Sequence, residues 1–371
     1  MSRFFDLVTK PVREIGGYPA TPPAKPAKDE PQLIRLDSNE NPFGPSPKAL
    51  EAMSAALTRV STYPEDDCGL LRRRLAELHD VPTEQVLVTA GSTGMLSLLC
   101  ETLLGAGLNA VTSERSFIVY GMAVHAAGAQ LIEAPTSGDA IDLDAIQQAI
   151  NEHTRLVFLA NPNNPTGTIL DVNALEKFLD EVPGHVVVVL DDAYYEFAVD
   201  FGNRRKSEYP RSINYLKQGA SVVVLRTFSK AHALAGLRIG YGLGPAELLN
   251  FCSRLRSTFS VSSIAQVAAL AALDDLNHVA RTVGNNAEQA QILGVALSEM
   301  GFRVVPTWAN FLYCDLGRDA AGLSDELRGQ GISIRPLAGW GAPTCVRVSI
   351  GAAEQNSALL DGMRKCLGGG E

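Results

Sequence analysis

The sequence predicts an α/β protein with a large domain on a mostly parallel, helix-flanked sheet and a smaller α+β domain after it. Three observations carry this. Between about residue 50 and residue 260, short runs rich in Val and Leu alternate with segments of helical apolar spacing, as a parallel sheet with crossover helices requires. Several of these runs end abruptly in polar residues, which sets those groups beyond the carboxyl ends of buried strands. After residue 262 the alternation stops. A long helical stretch within 277–300 leads to four short strands, "FRVVP", "NFLYCDL", "ISIRP" and "CVRVSIG", with helices near 323–330 and 357–366.

Taken from the amino end, "YPATPPAKPAKDEP" (18–31) is an extended Pro-rich arm that cannot be helical. Residues 1–49 are expected to complete the small domain, residues 50–262 to form the large domain and residues 263–371 the small one. In "QVLVTAGSTGMLSLLCETLL" a short strand runs through a Gly-Ser-Thr-Gly turn into a helix over 95–104. Such a turn turns main-chain N–H groups and the positive end of a helix dipole toward an anion. "LVFLANPNNPTG" is a strand over 156–160 that ends in a stiff turn carrying Asn161, Asn163 and Asn164. "HVVVVLDDAYYEF" is a strand over 186–190 ending on Asp191 and Asp192, with Tyr194 and Tyr195 behind. "SVVVLR" then feeds "TFSKAHALAGLR", whose loop delivers Ser229, Lys230 and Arg238 to the same edge.

These strand ends supply an anion cup (Gly91, Ser92, Thr93, Ser229, Arg238), an amide (Asn164), a carboxylate (Asp191), a phenol (Tyr194) and one amine (Lys230). The inventory matches pyridoxal 5'-phosphate, which has a phosphate, a ring nitrogen, a phenolic oxygen and an aldehyde. Lysine is the side chain that condenses with an aldehyde. A carboxylate facing the pyridine nitrogen keeps it protonated, so that the ring acts as an electron sink. The planar fork of arginine suits a phosphate.

"LDSNENPFGPSP", "YPE", "NPNNPTG", "DDAYYEF", "TFSKAHALAGLRIGYG" and "VRVSIG" follow one another over nearly the whole chain. In this order and spacing the chain resembles the fold-type I aminotransferases, and among them most resembles the histidinol-phosphate aminotransferases. The resemblance implies Lys230 as the catalytic lysine, Asp191 on the ring nitrogen, and Asn164 with Tyr194 on the phenolic oxygen. It also implies that Phe117 stacks on the ring and that Arg347 grips the substrate carboxylate, with Asn41 and Tyr18 in the substrate site. Tyr63, the tyrosine of the "YP" pair, would reach the cofactor phosphate of a neighbouring subunit, so a homodimer is implied.

Each assignment has a plainer alternative. Phe117 is equally explained as core packing, Asp192 as a helix N-cap, Arg347 as an outward strand residue and Tyr63 as a half-exposed tyrosine. His232 lies close to Lys230 with no partner visible in sequence. The chain departs from the family's common pattern at Thr93 and Gly94, where an Asp-Glu pair is usual, and at Phe117, where tyrosine is frequent. The implied activity is amino transfer from histidinol phosphate, the amino donor, to a 2-oxo acid, 2-oxoglutarate. Alternatives on the same scaffold are an aromatic or other amino-acid aminotransferase and a phosphoamino-acid decarboxylase. A ligand-binding module of a regulator is a further alternative, and Lys230 weighs against it.

Composition narrows the field. A formal net charge of -9 with no basic cluster argues against nucleic acid as a partner. Six scattered cysteines, without a C-x-x-C pair, read as reduced thiols in a cytoplasmic protein. Six dispersed histidines give no metal spacing. The amino end lacks the apolar run of a leader, and no stretch of about 18 apolar residues occurs, so neither secretion nor a membrane is expected. "GYGLG" lacks the spacing of a dinucleotide fingerprint.

Overall fold

A computed structural model describes residues 4, 5, 7–15 and 33–368. Its centre is a seven-stranded sheet in the order Val86–Thr89, Gly240–Leu243, Val222–Thr227, Val187–Asp191, Thr154–Ala160, Asn109–Ser113 and Gln130–Ala134. Gly240–Leu243 is antiparallel to both neighbours, and the other pairings are parallel. The reversal has a local cause. Thr227 pairs with Gly240, so the chain returns through the 228–239 loop without a crossover helix, and a direct return is antiparallel. That loop carries Lys230 and Arg238.

Both faces of the sheet are covered, which is why its strands read as continuous apolar runs. Along Thr154–Ala160, Val157 and Leu159 enter one core with Leu175, Phe178 and Leu216. The alternating Leu156, Phe158 and Ala160 enter the opposite core with Leu96, Leu99 and Cys252. The polar ends that follow are therefore all delivered to one edge.

The second layer is an antiparallel sheet in the order Arg303–Val305, Phe311–Asp315, Ala342–Ser349 and Arg335–Leu337. Leu312, Cys314, Val346 and Val348 pack on one face against Leu293, Leu297, Leu323 and Leu359 from the flanking helices. Strand alternation then turns Phe311 and Arg347 to the other face, toward the large sheet. Ile34–Arg35 joins Ile332–Ser333 in a parallel pair, and Leu36 enters the small core. The helix Ser263–Leu273 packs elsewhere. Its Ala265, Ala268, Ala269 and Ala272 lie in the large core with Ala49 of the helix Pro47–Ala56, so the packing divides the chain nearer Leu273 than the expected residue 262.

A charge cluster also ties the two layers together. Asp139, at the turn between Thr136–Ser137 and Ala140–Ile141, pairs with Arg303 and lies 3.8 Å from Arg115, while Arg303 also lies 3.5 Å from Asp315. Among the described residues no helix is long and apolar enough to cross a membrane, and no cluster of His, Cys, Asp and Glu is placed to hold a metal ion.

Candidate active site

A cavity of about 270 Å³ lies where the carboxyl ends of the parallel strands meet the inner face of the small sheet. Its wall includes Ser92, Thr93, Phe117, Asn164, Asp191, Tyr194, Ser229, Lys230, Arg238 and Arg347, most of the residues singled out from the sequence. Lys230 Nζ donates to the main-chain oxygens of Ser38 and Asn39, at 3.1 and 3.2 Å, and lies 5.8 Å from the centre of the Tyr194 ring. Desolvation, helped by the positive charges of Arg347 and Arg238 and opposed by Glu40, pushes its pKa down to about 7. An amine so placed exchanges its proton near neutral pH, and its unprotonated form is nucleophilic.

The anion cup is built from close approach. Gly91 opens the helix Gly91–Leu103 at φ +76°, and a Cβ there would stand 2.7 Å from Arg238 Nη2. A Cβ on Gly240 would meet Ser92 N at 2.5 Å. Glycine at both positions lets the guanidinium, the helix N-terminus and the antiparallel strand converge. Ser229 Oγ accepts from Thr227 Oγ1 at 3.0 Å and lies 3.4 Å from Arg238 Nη1, which also donates to the Ala235 carbonyl at 2.9 Å.

Deeper in the cavity the polar groups are interlocked. Asp191 accepts from Tyr120 Oη at 2.8 Å on Oδ2 and from Ala193 N at 3.2 Å on Oδ1. Burial pushes its carboxyl up to about 6, against the lowering effect of these two bonds. Arg347 is buried; it donates to Asn164 Oδ1 at 2.7 Å and to the Asp37 carbonyl at 2.8 Å, so it does not face solvent. Tyr194 Oη accepts from Asn39 Nδ2 at 3.0 Å. Phe117 meets Tyr120 edge to face, with ring centroids 5.5 Å apart.

Other expected residues are not brought to the cavity. Asn41 donates to the Ala231 carbonyl at 3.1 Å and to Thr282 Oγ1 at 3.0 Å, and its Oδ1 accepts from Phe43 N. Its amide therefore braces the Lys230 loop and does not face the cavity. Tyr63 is 81% exposed and stacks on Phe259. Tyr18 lies outside the described residues. Asp192 is not a helix N-cap: Tyr194 holds that position, and Asp192 is buried against Arg226 at 3.1 Å and Ser212 Oγ at 2.8 Å. His232 Nε2 lies 3.8 Å from Glu196, and its ring is off the cavity wall.

Sequence reasoning missed Tyr120, Arg335 and Trp340, which also line the cavity. Tyr120 follows Phe117 by three residues, a helical spacing that could have flagged it. Arg335 pairs in register with Arg347 across two strands, a relation that a single sequence does not display.

This donor set fits pyridoxal phosphate on the structure's own terms. It offers a cup that a Cβ at Gly91 or Gly240 would fill, a buried carboxylate at a strand end, an amide and a phenol beside it, and one amine of lowered pKa. The comparisons with known proteins agree with the geometry. Residues 31–362 match the family model for aminotransferase class I and II. A histidinol-phosphate aminotransferase 2 of Pseudomonas aeruginosa is 41% identical over 372 residues, covering 99% of both chains. Its counterpart from Pseudomonas fluorescens is 39% identical over 369 residues, covering 98% of both. The crystal structure of the Sinorhizobium meliloti histidinol-phosphate aminotransferase in complex with pyridoxal-5'-phosphate superposes with a TM-score of 0.84 at 28% identity, covering 91% of this chain and 92% of that one. The chain belongs to the class I and II aminotransferases.

Proposed function

We propose that the chain is a pyridoxal-phosphate-dependent transaminase that moves the amino group of histidinol phosphate to 2-oxoglutarate. Arg335 and Arg347 side by side on the small sheet carry this reading, because they offer cationic recognition to a substrate whose far end is a phosphate. The likeness to histidinol-phosphate aminotransferases over nearly the full length supports it.

The cofactor, when bound, supplies an aldehyde for the amine and a protonated ring that accepts the electrons of the broken C–H bond. Lys230 is the residue we assign to its aldehyde, and Asp191 to its ring nitrogen. Asn164 and Tyr194 are assigned to the phenolic oxygen, and Gly91, Ser92, Thr93, Ser229 and Arg238 to the phosphate, with Phe117 stacking on the ring. Lys230 Nζ, once exchanged for the substrate amine, takes the proton from the substrate carbon that bears that amine. Its lowered pKa suits that role near neutral pH. Arg347 clamps the carboxylate of glutamate or 2-oxoglutarate in the second half-reaction, where a bidentate fork has a planar partner.

We also propose a homodimer. Leu57, Val60, Tyr63 and Phe259 are exposed apolar side chains, with Tyr63 stacked on Phe259, and a partner subunit would cover them. Five of the six free cysteines are buried, which is in keeping with a cytoplasmic protein.

Single-turnover measurements test the substrate assignment. Arg347→Ala should slow the glutamate half-reaction at least tenfold, as loss of a desolvated charge partner costs roughly 2 to 5 kcal/mol. Histidinol phosphate should outcompete aromatic amino acids in specificity constant. An equal or better constant with an aromatic donor would replace the substrate assignment with that of an aromatic aminotransferase. Release of carbon dioxide without a 2-oxo acid would replace it with that of a decarboxylase.

A further inference from the structure

The wall of the cavity holds a tyrosine for which the assigned chemistry has no role. Tyr120 lies in the first turn of the helix Val119–Ala126 and has no exposed surface. Its ring stacks on Phe158, with centroids 4.8 Å apart, and meets Phe117 edge to face. A phenylalanine would make the same ring contacts, so packing does not explain the hydroxyl. That hydroxyl donates to Asp191 Oδ2 at 2.8 Å.

We infer that Tyr120 is a positioning residue that sets both the orientation and the proton affinity of Asp191, and through it keeps the ring nitrogen of the cofactor protonated. The inference rests on the assignment of Asp191 to that nitrogen.

The geometry supports the orientation. Asp191 is gripped from two sides, by Tyr120 on Oδ2 and by Ala193 N on Oδ1, which fixes the plane of the carboxylate. The adjacent Asp192 turns the other way, onto Arg226 and Ser212, so it does not share this task. The other titratable or charged groups on the same wall are Tyr194, Lys230, Asp37, Glu40 and the arginines Arg238, Arg335 and Arg347.

The chemistry supplies the second effect. One proton is shared between the ring nitrogen and the carboxylate. A hydrogen bond donated to the carboxylate stabilises its charged form, so the proton stays on nitrogen. Burial works in the opposite direction and raises the proton affinity of Asp191, with the Tyr120 bond as the largest opposing influence. Without the phenol, the balance would shift toward a protonated carboxylate and a neutral ring nitrogen. The ring would then carry less of the positive charge that draws electrons from the substrate carbon.

The test uses the full chain loaded with cofactor labelled with nitrogen-15 in the ring, whose resonance reports protonation at that atom directly. Tyr120→Phe keeps the ring packing and removes the donor. The pH at which the ring nitrogen gives up its proton should fall by about one unit, and cofactor affinity should fall about tenfold. Placing 3-fluorotyrosine at position 120 keeps the volume and makes the phenol a stronger donor, so the same midpoint should rise. In an Asp191→Asn background the phenylalanine substitution should change affinity by less than about twofold, because the group it acts through is gone.

A midpoint that responds to neither replacement overturns the inference. So does an equal loss of affinity in the Asp191→Asn background, which would make Tyr120 a packing residue. If Asp191→Asn itself leaves the ring nitrogen protonated, the assignment of Asp191 fails and takes this inference with it. A normal response to Asp191→Asn with unresponsive Tyr120 variants overturns the inference alone.

Discussion

Gly240→Ala adds one methyl group at the crossing of the antiparallel strand and the anion cup. Its Cβ would lie 2.5 Å from Ser92 N, 2.8 Å from Gly91 C and 2.8 Å from Arg226 O. All three are main-chain atoms, so no side chain can swing aside. The strand must separate from the helix N-terminus by roughly half an ångström to an ångström for ordinary contact to be restored. Overpacking of this kind typically costs about 1–3 kcal/mol, and a rigid main-chain neighbour places this site toward the upper end. The displaced atom is the amide of Ser92, one of the donors assigned to the cofactor phosphate. A lost hydrogen bond to a charged acceptor weakens binding by about 1.5 to 3 kcal/mol, or more than tenfold. Gly242→Ala is the matched control, because the nearest atoms to its Cβ all belong to the Met95 side chain, at 2.9 Å from Cγ, and a flexible thioether can rearrange. Equilibrium titration of the cofactor-free variants, followed by the absorbance of the bound cofactor, measures both. Gly240→Ala should lose more than tenfold in affinity, and Gly242→Ala less than about threefold. Equal affinities in the two variants would refute the argument that the cup is held by main-chain contact at Gly240.

Two further perturbations follow from charges. Lys230 has a folded-state pKa of about 7, against an ordinary value of 10.5. Between these pH values the unfolded chain holds a proton that the folded chain does not, so the cofactor-free protein gains stability as pH rises through this window and loses it as pH falls. Lys230→Met removes the effect. After allowance for solvent screening, the variant should be more stable by about 1–2 kcal/mol at pH 7, with the difference vanishing by about pH 10. A difference that stays constant with pH, measured by chemical denaturation of the two cofactor-free proteins, would contradict the lowered pKa. Asp139→Asn should weaken the tie between the layers by less than about 1 kcal/mol at low salt and by nothing measurable near 1 M salt, because Arg303 is half exposed. Denaturation at the two ionic strengths checks this.

The parts of the site legible in the sequence share one property: each follows directly from the end of a buried parallel strand. Asp191 ends Val187–Asp191, Asn164 and Lys230 lie just beyond Thr154–Ala160 and Val222–Thr227, and an apolar run that stops on a polar residue is visible without knowledge of the fold. What the sequence hid depends on contacts between distant elements. Arg335 gains its meaning from register with Arg347, and Tyr120 from a bond to a residue 71 positions away. Asn41 shows the opposite case. Its motif suggested a ligand contact, but its side chain is committed to the Ala231 carbonyl and Thr282. Tyr63 differs again, because its proposed contact belongs to a second subunit, and no local pattern encodes that. The helix Ser263–Leu273 was drawn to the large core by a stripe of alanines whose small size favours close approach to Pro47–Ala56, not by any signal at a boundary.

The electrostatics of the cavity run against those of the chain as a whole. The chain carries a formal charge of -9, yet Lys230, Arg238, Arg335 and Arg347 face one cavity. Of the three acids on this wall, Asp37 accepts from Ser38 at 2.8 Å and Ser333 at 2.7 Å, Asp191 accepts from Tyr120, and Glu40 acts on Lys230 by charge alone. The arginines are oriented in advance, Arg347 by an amide oxygen and a main-chain carbonyl, Arg238 by the Ala235 carbonyl. A local field of this sign favours a phosphorylated cofactor and a phosphorylated substrate whatever the net charge. It also acts on Lys230, because Arg347 and Arg238 are among the causes of its lowered pKa. Desolvation is the larger cause, and the same cations that attract anions add to it.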